Sequence, residues 1–132
     1  MQCPCNSNKK YSDCCQKAHQ NINSVASAEA LMRSRYSAFV LANVAYLQKS
    51  HHSKTRPSNS ENKEIEKWTK SVKWLKLEVL KTTNGTANDT IGTVEFKAFF
   101  MENGAINIIH ENSKFCIENN YWVYVGANNE CN

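Results

Sequence analysis

The chain has 132 residues, 41% of them apolar and 21% charged, with 16 basic against 12 acidic side chains for a net charge of +4. That length supports one domain with its own core plus a small appendage. The charge is too mild for a dedicated nucleic-acid surface, and no apolar run reaches the roughly 18–20 residues that span a bilayer. No basic stretch followed by an apolar one opens the chain, so a cytosolic protein without membrane contact is expected.

Residues 1–20 hold four of the six cysteines, Cys3, Cys5, Cys14 and Cys15, in a stretch too polar to fold by burying apolar surface. In a reducing cytosol, clustered cysteines serve as metal ligands or redox groups more often than as disulfides. Zinc takes four nitrogen or sulfur ligands in a tetrahedron, and its binding free energy is folding free energy for such a segment. Lys9, Lys10 and Lys17 would ease the deprotonation of the thiols. Adjacent Cys14 and Cys15 are awkward ligands for one metal, so His19 is held in reserve as the fourth. A redox dithiol and structural disulfides are the alternatives to zinc. Cys116 and Cys131 are read as a strand residue and a tail residue without a role.

Residues 21–27 read as a linker ending in Ser27, a helix N-cap with Glu29 in the first turn behind it. A helix is predicted over 28–42, with Leu31, Ser34/Arg35, Ala38 and Leu41/Ala42 on one stripe. Asn43 stops it and caps a second helix over 44–50. Residues 51–57 are irregular, because Pro57 biases Arg56 away from helix, and the pair His51-His52 reads as surface. Ser58-x-x-Glu61 is a capping-box pattern opening a third helix over 60–70.

From Val72 the apolar period changes to two. Residues 72–83 place Leu75, Leu77 and Val79 on one face. Residues 91–101 place Val94, Phe96, Ala98 and Phe100 on one face, with Glu95 and Lys97 opposite. Asn103-Gly104 is a turn. A third strand covers 105–110 and 114–118, with a bulge expected around Glu111-Asn112. Asn119-Asn120 turns into a last strand over 121–126, and 128–132 is a tail. Three helices followed by a four-stranded antiparallel meander read as α+β, with the helices on one face of a curved sheet.

Two registers compete for the central hairpin. A three-residue Glu102-Asn103-Gly104 loop sets Phe100 against Ile106, Ala98 against Ile108 and Phe96 against His110. A two-residue Asn103-Gly104 turn pairs Phe99 with Ile108 and is expected to leave Phe96 and Phe100 outside. The first is preferred for the apolar face it brings together. In the last hairpin, a two-residue turn sets Ile117 against Trp122 and Phe115 against Tyr124.

Cys3-Pro4-Cys5-Asn6-Ser7-Asn8-Lys9-Lys10-Tyr11-Ser12-Asp13-Cys14-Cys15 resembles the SEC-C motif, the zinc knuckle of the SecA translocation ATPase and of many bacterial proteins. Asn6 and Asn8 stand where that motif usually has glycine. The remainder resembles the YchJ-type (UPF0225) family of bacterial proteins. The matching stretches are 31–40 (Leu-Met-Arg-Ser-Arg-Tyr-Ser-Ala-Phe-Val), His52-x-x-Thr55-Arg56-Pro57, Gly92-Thr93-Val94-Glu95-Phe96, His110-Glu111-x-Ser113-x-Phe115 and Trp122-x-Tyr124. The resemblance implies an NTF2-like (cystatin-like) cone over 27–127 behind the knuckle. Family members often carry a second SEC-C copy at the C-terminus, where this chain has Cys131 alone.

NTF2-like cones often enclose a cavity, and some are enzymes that use an inward carboxylate as base. In the preferred register Glu78 and Glu95 point outward. The candidate pocket is Arg33, Tyr36, Phe96, His110, Phe115, Trp122 and Tyr124, with His110 as its titratable group and Arg33 or Arg35 reaching in from the first helix. The favoured reading is a non-enzymatic zinc protein whose knuckle contacts a protein, ribosome or nucleic-acid partner through Lys9, Lys10 and Lys17. The alternative is a small-molecule binder or enzyme using the cavity around His110. An inward Asp or Glu would favour that alternative.

Overall fold

The computed structural model describes residues 1–131. Four α-helices precede a four-stranded antiparallel meander: α1 (Cys15–Gln20), α2 (Ala28–Val40), α3 (Val44–Lys49) and α4 (Asn62–Ser71), then β1 (Lys73–Asn84), β2 (Ile91–Glu102), β3 (Ala105–Glu118) and β4 (Tyr121–Gly126). The architecture is the expected α+β cone, with α2 and its neighbours against the concave face of the sheet. α1 is an addition to the expectation, formed inside the cysteine segment.

The helix boundaries follow from their caps. Ser27 accepts from the Ala30 amide, and Asn43 accepts from the Tyr46 amide. Ser58 and Glu61 form the capping box, on a 3-10 turn (Asn59–Glu61) that leads into α4. Ala42 closes α2 in a left-handed conformation, φ 55°. The segment between α1 and α2 is packed, not a free linker, because Ile22 and Val25 are buried in it.

The sheet corrects the sequence reading in three places. The Asn103-Gly104 hairpin is a two-residue turn with positive φ at both positions, 54° and 78°. Such a turn matches the right-handed twist of the flanking strands. It pairs Phe99 with Ile108, Ala98 with Ile109 and Phe96 with Glu111. Contrary to the expectation for this turn, the facing of β2 is unaffected, and Phe96 and Phe100 stay buried with Val94 and Ala98. The one-residue slip flips every side chain of β3 instead. β2 and β3 also pair without interruption past Glu111 and Asn112, so the expected bulge is absent there. Two bulges lie in β1, at Trp74/Lys76 and Val79/Lys81. They turn Trp74 inward and leave Leu75 and Leu80 exposed. The last hairpin has the expected pairs, Ile117 with Trp122 and Phe115 with Tyr124.

One core joins the cone and the cysteine segment. Cys3, Cys5, Cys15 and Ala18 are buried with Leu31, Tyr36, Val94, Phe96, Phe115 and Trp122. Close backbone approach at one corner seats the start of α2. The Ala28 amide donates to the Gly85 carbonyl at 2.9 Å, and a Cβ at Gly92 would lie 2.4 Å from Gly85 Cα. On the outer face, Cys116 packs with Val123 and Val125 beneath the tail residue Cys131.

Candidate functional site

The four knuckle sulfurs lie within 4.8 Å of one another. Cys5 Sγ is 3.6 Å from Cys14 Sγ, and Cys14 Sγ is 4.0 Å from Cys15 Sγ. A tetrahedral metal–thiolate centre with bonds of about 2.3 Å has sulfur–sulfur edges of about 3.8 Å, so the cluster fits one ion. An all-thiolate donor set suits soft or borderline metals and not magnesium or calcium. Adjacent cysteines can share the centre because Cys14 takes an unusual backbone conformation, φ −135° and ψ −113°, at the junction of the Tyr11–Asp13 turn and α1. The neighbouring Cys15 thiol holds Cys5 down to about 4, while Cys15 is pushed up by its interaction with Cys5 and by burial. One thiolate is therefore already favoured in a buried cluster of sulfurs.

Asn6 and Asn8 both take left-handed conformations, φ 63° and 66°. Asn tolerates this region better than other residues with a side chain, so the tight turn survives without glycine. Asn6 has a second use that glycine could not supply: its Oδ1 accepts the Leu77 amide of β1 at 2.9 Å. His19 is no ligand in this arrangement. Its Nε2 donates to the Ser34 carbonyl at 2.8 Å, which leaves Nδ1 to accept from the Tyr11 hydroxyl at 2.6 Å. Burial lowers its pKa. Lys9, Lys10 and Lys17 are exposed and form no ion pair among the described residues.

The second site is a cavity of about 470 Å³ between α2, α3, α4 and the concave sheet face. Tyr36, Phe96 and Tyr124 line it, as do Trp68 and Trp74. Four other candidates lie elsewhere. Arg33 turns the opposite way, donating from Nε to Glu29 at 2.9 Å and from Nη1 to the Cys5 carbonyl at 2.7 Å. His110 sits on the outer face, its Nε2 2.8 Å from Glu95 Oε2, because the two-residue hairpin flips β3. Phe115 and Trp122 are buried in the core away from the cavity wall.

Arg35 takes the inward place. Its Nη1 donates to the Leu47 carbonyl at 2.8 Å and to Ser50 Oγ at 2.7 Å, at the C-terminal end of α3. Its guanidinium lies 4.7 Å from the centre of the Tyr124 ring. The partial negative charge of a helix C-terminus and the ring face both favour a cation there. Burial lowers Arg35 to about 10, so it remains charged at neutral pH. Glu111 is the inward carboxylate: Oε1 accepts from Ser113 Oγ at 2.7 Å and from the Tyr124 hydroxyl at 2.9 Å. Burial and the Glu111 carboxylate push Tyr124 up to about 12.

His51 also lines the cavity and is not a surface residue. Thr55 Oγ1 donates to the Val125 carbonyl, so it accepts from His51 Nε2 at 3.1 Å. Burial, with Arg35 close by, pushes His51 down to about 4. Neighbouring His52 is buried too, 3.4 Å from Glu118. Signals for these residues were present in the sequence. Arg35 falls on the Leu31–Ala38 stripe and Arg33 does not. Counting outward from a two-residue Asn103-Gly104 turn brings Glu111 inside.

A curved α+β cone with a cavity, joined through a shared core to a four-cysteine knuckle, defines a small two-part protein class. Residues 27–127 match the family described as the YchJ middle NTF2-like domain, and residues 2–17 match the SEC-C motif. A UPF0225 protein of Vibrio parahaemolyticus is 42% identical over 125 residues, covering 93% of this chain and 72% of that protein. One from a Shewanella species is 42% identical over 130 residues, covering 92% and 77%. The solution structure of a SEC-C motif containing protein from Rhodopseudomonas palustris superposes with a TM-score of 0.82 at 33% identity, covering 95% of both chains. A SEC-C motif containing protein from Psychrobacter arcticus gives 0.75 at 30% identity, covering 98% of this chain and 83% of that one. The chain belongs to the YchJ-type UPF0225 family.

The lowered pKa of His51 has a signed consequence for stability. Between the ordinary value of 6.5 and the folded value of about 4, the unfolded chain binds more protons than the folded one. His51 therefore costs nothing above pH 6.5 and progressively destabilises the fold as pH falls toward 4. His51 is partly exposed, so solvent screening keeps the loss below the roughly 3 kcal/mol that the full shift would give. Urea denaturation at a series of pH values is expected to show this slope, and His51→Gln is expected to flatten it. An unchanged slope in the variant would remove His51 as its source.

Proposed function

We propose that this protein binds a small molecule in its cone and that the knuckle, loaded with zinc, is the staple that holds the cone's wall in place. The observation that carries the reading is the cavity itself. It has about 470 Å³ of space behind mostly apolar walls, within the roughly 300–1,000 Å³ of ligand pockets in general. Arg35 and Glu111 converge on it, and a few placed polar groups in an apolar pocket are the usual means of orienting a ligand. Zinc is proposed because four closely spaced thiolates match its tetrahedral, closed structural sites. Such a site leaves no open coordination position for catalysis, so any ligand is handled by the cone. A cytosolic location suits reduced thiols.

Saturation binding tests this. The neutral fluorescent probe N-phenyl-1-naphthylamine is expected to bind at one site per chain and to change the emission of Trp68 and Trp74, which line the cavity. Ala98→Leu fills the cavity from β2 and is expected to weaken the probe at least fivefold while circular dichroism stays unchanged. Absence of saturable binding to the intact chain would refute a ligand site in the cone.

A second reading is supported by the exposure of Lys9, Lys10 and Lys17 without ion-pair partners among the described residues. These lysines would offer an acidic protein partner a docking face, with affinity falling as salt rises. A Glu-rich peptide is expected to bind weakly at low salt and to lose at least tenfold in affinity when all three lysines are changed to glutamate. Equal binding by the variant would discard this face.

A further inference from the structure

We infer that the cone takes a flat, uncharged heteroaromatic molecule that presents a lactam edge, with a carbonyl and an N–H side by side, to Arg35 and Glu111. The inference rests on the small-molecule reading above and names the ligand class for the same site.

The polar groups decide the edge. Arg35 uses only Nη1 within the protein, so Nε and Nη2 have no hydrogen-bond partner among the described residues. Glu111 uses only Oε1, and its Oε2 is likewise without a partner. The two charges do not form an ion pair with each other, although the carboxylate acts electrostatically on the guanidinium. Tyr124 stands between them, with the guanidinium over its ring and the carboxylate at its hydroxyl. A free donor and a free acceptor are thus held apart across one tyrosine. A group that accepts from one and donates to the other bridges both through ordinary hydrogen bonds of about 2.9 Å. A lactam does this from a single edge.

Ligand charge follows from the same pair. One buried cation, Arg35, and one half-buried anion, Glu111, balance, and His51 is neutral at pH 7. A charged ligand would leave one charge uncompensated in an apolar site, which is costly.

The walls decide the body. Phe39, Trp68, Trp74 and Phe96 line the cavity. Phe39, Trp68 and Trp74 meet one another at centroid distances of 5.5 to 6.4 Å. These rings pack on one another, and the faces and edges they leave toward the cavity suit a planar aromatic guest held by stacked or edge-on contact.

Three bicyclic probes separate the possibilities on the full metal-loaded chain: quinolin-2(1H)-one with a lactam edge, naphthalene with none, and 2-naphthoate with a charge. Tryptophan fluorescence gives the affinities, and the NMR resonance of the Arg35 Nε–H reports contact at the edge. Quinolinone is expected to bind at least tenfold tighter than either of the others and alone to shift the Arg35 resonance. Glu111→Gln replaces a carboxylate oxygen by an amide donor facing the ligand N–H. It is expected to weaken quinolinone at least tenfold and to leave naphthalene within twofold. Equal affinities for quinolinone and naphthalene, or tighter binding of naphthoate, would overturn the lactam inference while leaving the cone as a ligand site. If no probe binds, both readings fall.

Discussion

The structure depends on the docking of a polar cysteine turn against α2. The Cys5 carbonyl receives Arg33 Nη1 at 2.7 Å, Cys3 Sγ lies 3.5 Å from Ser37 Oγ, and Asn6 takes the Leu77 amide from β1. His19 adds a bracket through Ser34, whose hydroxyl meets the Tyr46 hydroxyl of α3 at 2.6 Å. Four sulfurs at the centre of these contacts, three of them in buried residues, make a poor apolar core. As thiolates without a cation they would carry a heavy desolvation cost. A divalent metal resolves this, because it offsets half of the thiolate charge and ties both ends of the turn to one point. The knuckle is then a part of the cone's wall and not an appendage beside it.

α2 carries that constraint into the cavity. At 3.6 residues per turn, positions two apart are separated by about 200° around the helix. Arg33 therefore faces the knuckle while Arg35 faces the cavity, together with Met32, Tyr36 and Phe39. Both arginines bind backbone carbonyls, one at Cys5 and one at Leu47. The helix is thereby fastened to the elements on either side of it. Arg35 tolerates burial because the end of α3 and the Tyr124 ring both favour a cation. Tyr124 is in turn held by Glu111 and by backbone bonds from β4 to residues 50 and 52.

Local chemistry made much of this legible in advance. Ser27, Asn43 and Ser58–Glu61 marked helix starts because capping is decided within four residues. Cys3, Cys5, Cys14 and Cys15 declared a cluster through residue type and spacing. Asn6 and Asn8 could be read as left-handed. The errors share a physical origin in register and bulges, which depend on cross-strand partners. One residue of loop length at Asn103-Gly104 decided whether His110 or Glu111 entered the cone. The bulge at Trp74/Lys76 decided whether Trp74 or Leu75 did. His51 and His52 looked like loop surface because the bonds that zip 50–52 to β4 join residues more than seventy positions apart.

The central claim is that knuckle and cone are one cooperative unit held by a metal on α2. Its most direct test is unfolding of the zinc-loaded chain in guanidinium, followed at once by tryptophan fluorescence and by zinc release to a chromogenic chelator. A single unit predicts coincident transitions at one midpoint. Zinc released in a separate, earlier transition that leaves the tryptophan signal native would contradict the account.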